Sequence, residues 1–265
     1  LKDEGLVKRR PFRSPHHTSS DVALIGGGRI PKPGEVSLAH HGVLFLDELP
    51  EFPRKVLEVL RQPIEDGEVT VSRVNATLKY PSKFMFVASM NPCPCGYYGD
   101  ETHQCTCTQS QIDRYLGKIS SPLLDRIDIH IEVKPVKYDE LSSKTECESS
   151  ETIRKRVNSA RKRQLERYKN EGIISNSELT NKMIKKYIKL DEKAQEIMEF
   201  AFKKFNFSAR SYNKILKLAR TIADLADSDL VLEKHVLEAI QYLSLIHISE
   251  PTRPRLMSHA VFCLK

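Results

Sequence analysis

The stretch Gly42-Val43-Leu44-Phe45-Leu46-Asp47-Glu48-Leu49-Pro50 constrains the fold more than any other part of the chain. Four bulky apolar residues in a row, closed by two acids, are too few for a helix and show no polar alternation. They predict a strand buried on both faces, as in a parallel sheet covered by helices. In open α/β sheets the chemistry gathers at the carboxyl ends of the strands, where Asp47 and Glu48 are expected side by side. One acid of such a pair can hold the water shell of Mg²⁺ while its neighbour orients a water for attack on a γ-phosphate. A core strand followed by an acidic cap on the helix opened by Pro53-Arg54-Lys55 explains the same residues equally well.

At 265 residues the chain has material for one large domain or two ordinary ones. No apolar run is long enough to span a membrane and no signal peptide opens the chain, so a cytoplasmic location is expected. The net charge of +7 is modest, but basic residues cluster at Lys8-Arg9-Arg10 with Arg13, Arg154-Lys155-Arg156 and Arg161-Lys162-Arg163. Such clusters suit a polyanion, though a charge run is more often a solvated helix face. Of six cysteines, four crowd between positions 93 and 107. That concentration argues for a reducing compartment and a local metal or redox role, not a disulfide framework.

Along the chain, His16-His17 sits in a polar loop, and Asp21 to Gly28 reads as a mobile loop between short elements. No Lys-Ser or Lys-Thr follows its three glycines, so it is not a Walker A phosphate loop. After the acids a helix is expected to bury Val56, Leu57, Val59 and Leu60. Asp66-Gly67-Glu68 then opens a hairpin that carries Arg73 on its exposed side. Phe84–Met90 reads as a second buried strand ending at Asn91, and Ile127–Val133 as a third. Polar residues 138–150 form a linker, and 151–170 a basic helix. Ser208 is expected to cap a helix with Ile215, Leu218, Ala219, Ile222 and Leu225 on its buried face, and Ser228 or Asp229 a last one. That last pattern stops at Gln241-Tyr242, and Leu243 to Lys265 resembles a translated sequencing adapter, expected to lie outside the fold. With no initiator methionine at Leu1, the chain is expected to be a reading frame truncated at both ends.

Taken in order, Arg10-Pro11-Phe12-Arg13-Ser14-Pro15-His16-His17, Leu24-Ile25-Gly26-Gly27-Gly28, Gly42 to Phe52, Met90-Asn91-Pro92, Leu123-Leu124-Asp125-Arg126 and Ser208-Ala209-Arg210 resemble the ComM/YifB family of magnesium-chelatase-like AAA+ ATPases. The resemblance covers residues 1–242. It implies an α/β class: an incomplete P-loop AAA+ parallel-sheet core over 1–134, a linker over 135–150 and an all-helical lid over 151–242. It also implies a homo-hexameric ATPase acting on single-stranded or branched DNA, with ATP and Mg²⁺ as cofactors and branch migration in natural transformation as the setting. On this resemblance Asp47 matches the Mg²⁺-water ligand, Glu48 the water-activating base, and Asn91 the residue that orients the attacking water. Arg126 matches the arginine finger that reaches a neighbouring subunit's nucleotide, and Arg210 the nucleotide-sensing arginine of the lid. Arg73 and the basic N-terminal segment are the expected DNA contacts.

The family's Walker A loop has no counterpart here, so this chain alone is expected to be inactive. Two other functions fit the same motifs: the ATPase subunit of a magnesium chelatase, and a non-catalytic AAA+ module that binds DNA or assists assembly. Cys93, Cys95, Cys105 and Cys107 could enclose a tetrahedral, structural Zn²⁺, with His103 as a substitute ligand, although the spacing is C-x-C instead of the commoner C-x₂-C.

Overall fold

Residues Phe12–Arg13 form the first strand, β1, of a computed structural model that describes residues 9–28, 30–73, 76–100, 103–133, 148–205, 207–247 and 260–263. Cα packing divides the chain into two units, one of residues 1–135 with 251–265 and one of residues 136–250.

In the first unit β1 is followed by α1 (Asp21–Ile25). Where a loop was expected, a five-residue helix forms, because Ser20 caps it: the Ser20 hydroxyl accepts from the Ala23 amide at 3.1 Å, and Leu24 is fully buried beneath it. The glycines then form β2 (Gly26–Gly27), antiparallel to β3 (Lys32–Pro33). Gly26 has φ 105°, and a Cβ there would lie 2.3 Å from the Lys32 carbonyl oxygen. α2 (Glu35–Leu38) leads into β4 (Val43–Leu46), the expected central strand. β4 pairs in parallel with β1 on one side and with β7 (Met85–Met90) on the other. Its burial alternates: Leu44 and Leu46 are fully buried, while Val43 and Phe45 are half-buried. The second face is thinly covered, since Phe45 stacks on Phe12 at 6.1 Å and Phe12 is itself 64% exposed.

Beyond β4 a 3-10 turn at Leu49–Glu51 precedes α3 (Arg54–Val59) and α4 (Arg61–Asp66). One helix was expected and two form, divided at Leu60; Pro63, in the first turn of α4, has no amide proton to donate back to Val59. Val56, Leu57 and Leu60 are buried and Val59 only partly so. Gly67 terminates α4 in the left-handed region, φ 68°. The hairpin follows as β5 (Glu68–Arg73) and β6 (Ala76–Pro81), with Arg73 opposite Ala76 at its tip. The Arg73 side chain lies outside the described residues. After β7 come α5 (Gln109–Leu116), α6 (Ser121–Leu124) and β8 (Ile129–Glu132). Residues Ala260–Cys263, in the segment expected to lie outside the fold, form β9, antiparallel between β7 and β8, so the sheet order is β1-β4-β7-β9-β8. One core, including Leu24, Leu44, Leu46, Leu49, Phe52 and Phe86, packs against β4 and β7.

The second unit is helical: α7 (Ser150–Tyr168), α8 (Asn181–Tyr187), α9 (Glu192–Phe205), α10 (Ala209–Leu225) and α11 (Glu233–His247). Most of the expected linker, residues 134–147, lies outside the described residues. Ser208 caps α10 as expected, accepting from the Ser211 amide at 3.1 Å, and Ile215, Ala219 and Ile222 are buried. Leu225, expected inside, is 39% exposed. Neither Ser228 nor Asp229 caps the last helix. Ser228 instead donates to the Leu230 carbonyl, and α11 starts at Glu233, where the Leu232 amide donates to His235 Nδ1 at 3.1 Å. The helix also runs past Tyr242, because Leu243 is buried in the same core.

That core holds a buried charge network. Arg220 and Asp224 are 1% and 2% exposed and pair at 3.1 Å; Arg167 grips Asp224 with both terminal nitrogens. Asn176 donates to Asp224 at 2.8 Å and accepts from Tyr168 at 2.7 Å, while Arg220 donates to the carbonyls of Ser228 and Asp229. Burial pushes the Asp224 carboxyl up, but the bonds from Arg167 and Asn176 outweigh it and hold it below the usual carboxylate range. Removing one member of such a pair strands the other's charge, so Asp224→Ala should cost about 3–5 kcal/mol in urea unfolding followed by circular dichroism. Because the folded-state pKa is depressed, the stabilisation is complete above about pH 4, the unfolded aspartate's value, and disappears as pH falls through the folded one. Acid titration should therefore weaken this unit progressively as pH falls below about 4, and Asp224→Ala should flatten that dependence.

Candidate active site and metal centre

Register brings the first group of residues together. Leu46 faces Ala88 across β4 and β7, so the next residue on each strand, Asp47 and Ser89, meet at the carboxyl edge. The Ser89 hydroxyl donates to Asp47 Oδ1, and the same oxygen accepts from the Glu48 amide at 3.0 Å. Both acids are solvent-exposed, as predicted for the end of a parallel strand. Glu48 has φ 53° and ψ 49°, a left-handed conformation rare for a residue with a Cβ. It turns its carboxylate toward His17, whose Nδ1 lies 3.4 Å from Oε2.

Asn91 follows β7 directly and is half-buried. Its backbone lies beside the Tyr115 phenol of α5 and draws the phenol's pKa down. Burial, with the nearby Glu51 charge, pushes the Tyr115 phenol up to about 12, so it stays a neutral prop under the strand end. Asp47, Glu48 and Asn91 thus end two adjacent parallel strands.

Two arginines stand elsewhere. Arg126, at the end of α6, donates to Glu65 of α4 and, at 2.6 Å, to the Pro122 carbonyl. It lines a surface cleft of about 480 Å³ together with Ile25, Glu58, Arg61 and Thr70. Arg210 is an exposed residue of the first turn of α10, in the helical unit. The structure therefore joins the acids and Asn91 at one edge and sets Arg126 among the partners of α4. The sequence marked His17 only as half of the loop pair His16-His17; its approach to Glu48 comes from the fold.

The four cysteines between β7 and α5 converge. Cys93 Sγ lies 3.3 Å from Cys95 and 3.7 Å from Cys105, and Cys95 lies 3.5 Å from Cys105; with Cys107 all four sulfurs fall within 4.8 Å of one another. A disulfide needs about 2.05 Å. Zn–S bonds of about 2.3 Å give a tetrahedron whose edge is about 3.8 Å, which these separations match. Gly96 makes a tight turn after Cys95, with φ 85° and its amide donating to the Cys93 carbonyl at 3.0 Å. Backbone amides of Tyr97 and Thr106 bring the Cys95 thiol down to about 5. The Cys107 amide pulls Cys105 the same way, but burial and the neighbouring thiols win and push it up to about 12. Crowded thiols that resist ionising together are what a divalent cation would settle. His103 is not in the cluster: its ring stacks on Tyr97 at 4.9 Å, with Nδ1 3.7 Å from Asp100.

A family model described as magnesium chelatase, subunit ChlI, matches residues 1–141, and one described as the ChlI C-terminal region matches residues 147–243. Competence protein ComM of Haemophilus influenzae is 47% identical over 242 residues, which cover 91% of this chain and 46% of that protein. The uncharacterized protein YifB of Escherichia coli is 43% identical over 249 residues, or 92% and 48%. The magnesium-chelatase subunit ChlI of Cyanidium caldarium is 30% identical over 131 residues, covering 49% of this chain and 31% of that subunit. The chain spans about half the length of ComM and YifB. Matched by family models across both of its units, the chain belongs to the magnesium-chelatase-like AAA+ ATPase family, on the ComM/YifB side of it.

Proposed function

We propose that the intact protein carrying this chain is a DNA-stimulated ATP hydrolase that remodels single-stranded or branched DNA as a homo-hexamer. The observation that carries the reading is the parallel register that sets Asp47, Glu48 and Asn91 at the ends of adjacent strands. The DNA part is supported by the higher identity to the competence protein than to the chelatase subunit.

The residues fit half of the implied cofactor. Asp47 is an exposed carboxylate with a hydroxyl beside it, the sparse oxygen donor set that Mg²⁺ accepts when phosphates and waters complete its shell. When bound, Mg²⁺ would neutralise charge on the phosphates. The phosphate cradle has no counterpart among the described residues, since Gly26-Gly27 is committed to pairing with β3. In this reading Asp47 holds the metal's water, Glu48 takes a proton from the attacking water, and the Asn91 amide orients that water. Arg126 would exchange Glu65 for a phosphate on a neighbouring subunit, and Arg210 would sense nucleotide from the lid.

In the intact protein, Glu48→Gln should lower ATP hydrolysis 10²–10⁴-fold with little change in nucleotide affinity, measured by phosphate release and equilibrium binding. Stimulation by a porphyrin-charged partner protein and not by DNA would replace the reading with that of a chelatase subunit. Arg73→Ala should weaken DNA binding and reduce the slope of log affinity against log salt by about one, read by fluorescence anisotropy. An unchanged slope removes the hairpin tip from the DNA contact.

We further propose that the cysteine cluster holds one structural Zn²⁺. Metal analysis of the purified chain should find about one zinc per chain, with Cys95→Ser and Cys107→Ser each reducing it severalfold. Equal zinc in all three proteins would refute the site.

A further inference from the structure

The fold uses only part of the basic helix α7. Its packed stripe is Ala160, Gln164 and Tyr168, all buried, with Arg167 beside them holding Asp224. Arg163 bonds Asp227 and Asp229, beyond the end of α10, while Arg167, one turn later, bonds Asp224 inside it. The two helices therefore run antiparallel, and the part of α7 before Ala160 projects past the end of α10. Every residue from 150 to 159 is exposed.

Ion pairs divide the cations of this helix into two sets. Arg156 pairs with Glu148 at 2.7 Å, Lys155 with Glu151 at 2.9 Å, and Arg163 and Arg167 are taken by aspartates of the fold. Among the described residues, Arg154, Arg161 and Lys162 have no carboxylate partner. With Asn158 they stand at i, i+4, i+7 and i+8, one face of a helix over a length of about 12 Å. Glu151, at the N-terminal edge of that face, is already engaged by Lys155. Neighbouring cations repel, and the helix macrodipole rewards positive charge only in the last turn, so nothing in the helix itself calls for these three. The exposed apolar side chains of α7 are Ile153, Val157 and Leu165, without an aromatic ring, too little to embed in a membrane surface.

We infer that the projecting half of α7 is a DNA contact, in which Arg154, Arg161 and Lys162 hold backbone phosphates irrespective of base sequence. A B-form strand carries a phosphate about every 3.4 Å along its axis, so a face of this length meets three or four of them. The inference rests on the DNA-remodelling reading above and adds a contact from the helical unit to it.

Anisotropy of labelled duplex and single-stranded DNA, titrated with this chain across a salt series, tests the contact. Arg154→Ala with Arg161→Ala and Lys162→Ala should weaken binding at least tenfold at about 0.1 M salt. The same triple should flatten the slope of log affinity against log salt by about two to three. Arg154→Lys with Arg161→Lys and Lys162→Arg should bind like the parent, because phosphate contacts of this kind need the charge alone. Lys185→Ala with Lys193→Ala and Lys203→Ala removes the same net charge from exposed positions elsewhere in the unit and should leave the slope nearly unchanged. All three variants should keep the parent's circular dichroism, since every substituted side chain is exposed. Equal losses in the two alanine triples would reduce the effect to net charge and overturn the contact. Unchanged binding by the first triple would overturn it and leave the DNA reading standing. Tighter binding of the parent to phosphatidylserine vesicles than to DNA would overturn it in favour of a membrane surface. A parent chain that binds no DNA also overturns it; the DNA reading falls separately, if DNA fails to stimulate ATP hydrolysis by the intact protein.

Discussion

Parallel pairing of β4 with β1 on one side and β7 on the other is the constraint on which the first unit depends. Parallel ladders place the ends of all three strands at one edge, so residues far apart in sequence are delivered together without a dedicated scaffold. Asp47 and Glu48 leave β4 there, Ser89 lies on β7 and Asn91 follows it, and the His17 segment follows β1. The ladder also explains why the acids are exposed while Leu44 and Leu46, three residues and one residue before Asp47, are sealed in the core. Burial ends where the strand does.

The helical unit solves a different problem. Its core buries the charged pair Arg220 and Asp224 among apolar side chains, and charges in such a place are costly unless they are met by partners. Asp224 is met by two arginines and an amide, and Arg220 spends its terminal nitrogens on the carbonyls of the turn that follows α10. The network therefore ties α7, the 3-10 turn at Asn176–Glu178, α10 and the Ser228–Asp229 turn to a single carboxylate. Swapping it for apolar residues of the same shape need not weaken the unit, whereas deleting one member should.

What was legible in the sequence was local. The apolar run of β4, the alternation of the hairpin, the Ser208 cap and the long basic helix all follow from neighbours within a few positions. Misread features had a local signal overruled by a louder one. The three glycines suggested a loop and hid the Ser20 cap of α1; the apolar period through Leu60 hid the division before Pro63. Leu243 falls on the buried face of α11, although it and the residues after it looked foreign to the fold. Contacts of long range were invisible. Arg167 and Asp224 lie 57 positions apart, and nothing in either segment announces the pair. The cysteines were noticed by spacing, but only the fold shows that four sulfurs, and not His103, meet.

Gly42 carries the last consequence. A Cβ at this position would lie 1.9 Å from the Pro11 carbonyl oxygen, which accepts from the Val43 amide at 2.9 Å, so only a residue without a side chain lets β1 close onto β4. The same approach sets how far along the sheet the Ser14–Ser19 segment extends, and hence where the His17 ring stands relative to Glu48. The spacing between Glu48 and His17 thus depends on the opposite end of the strand, on an absent methyl group. Any bulk added there would be felt first as a displaced imidazole.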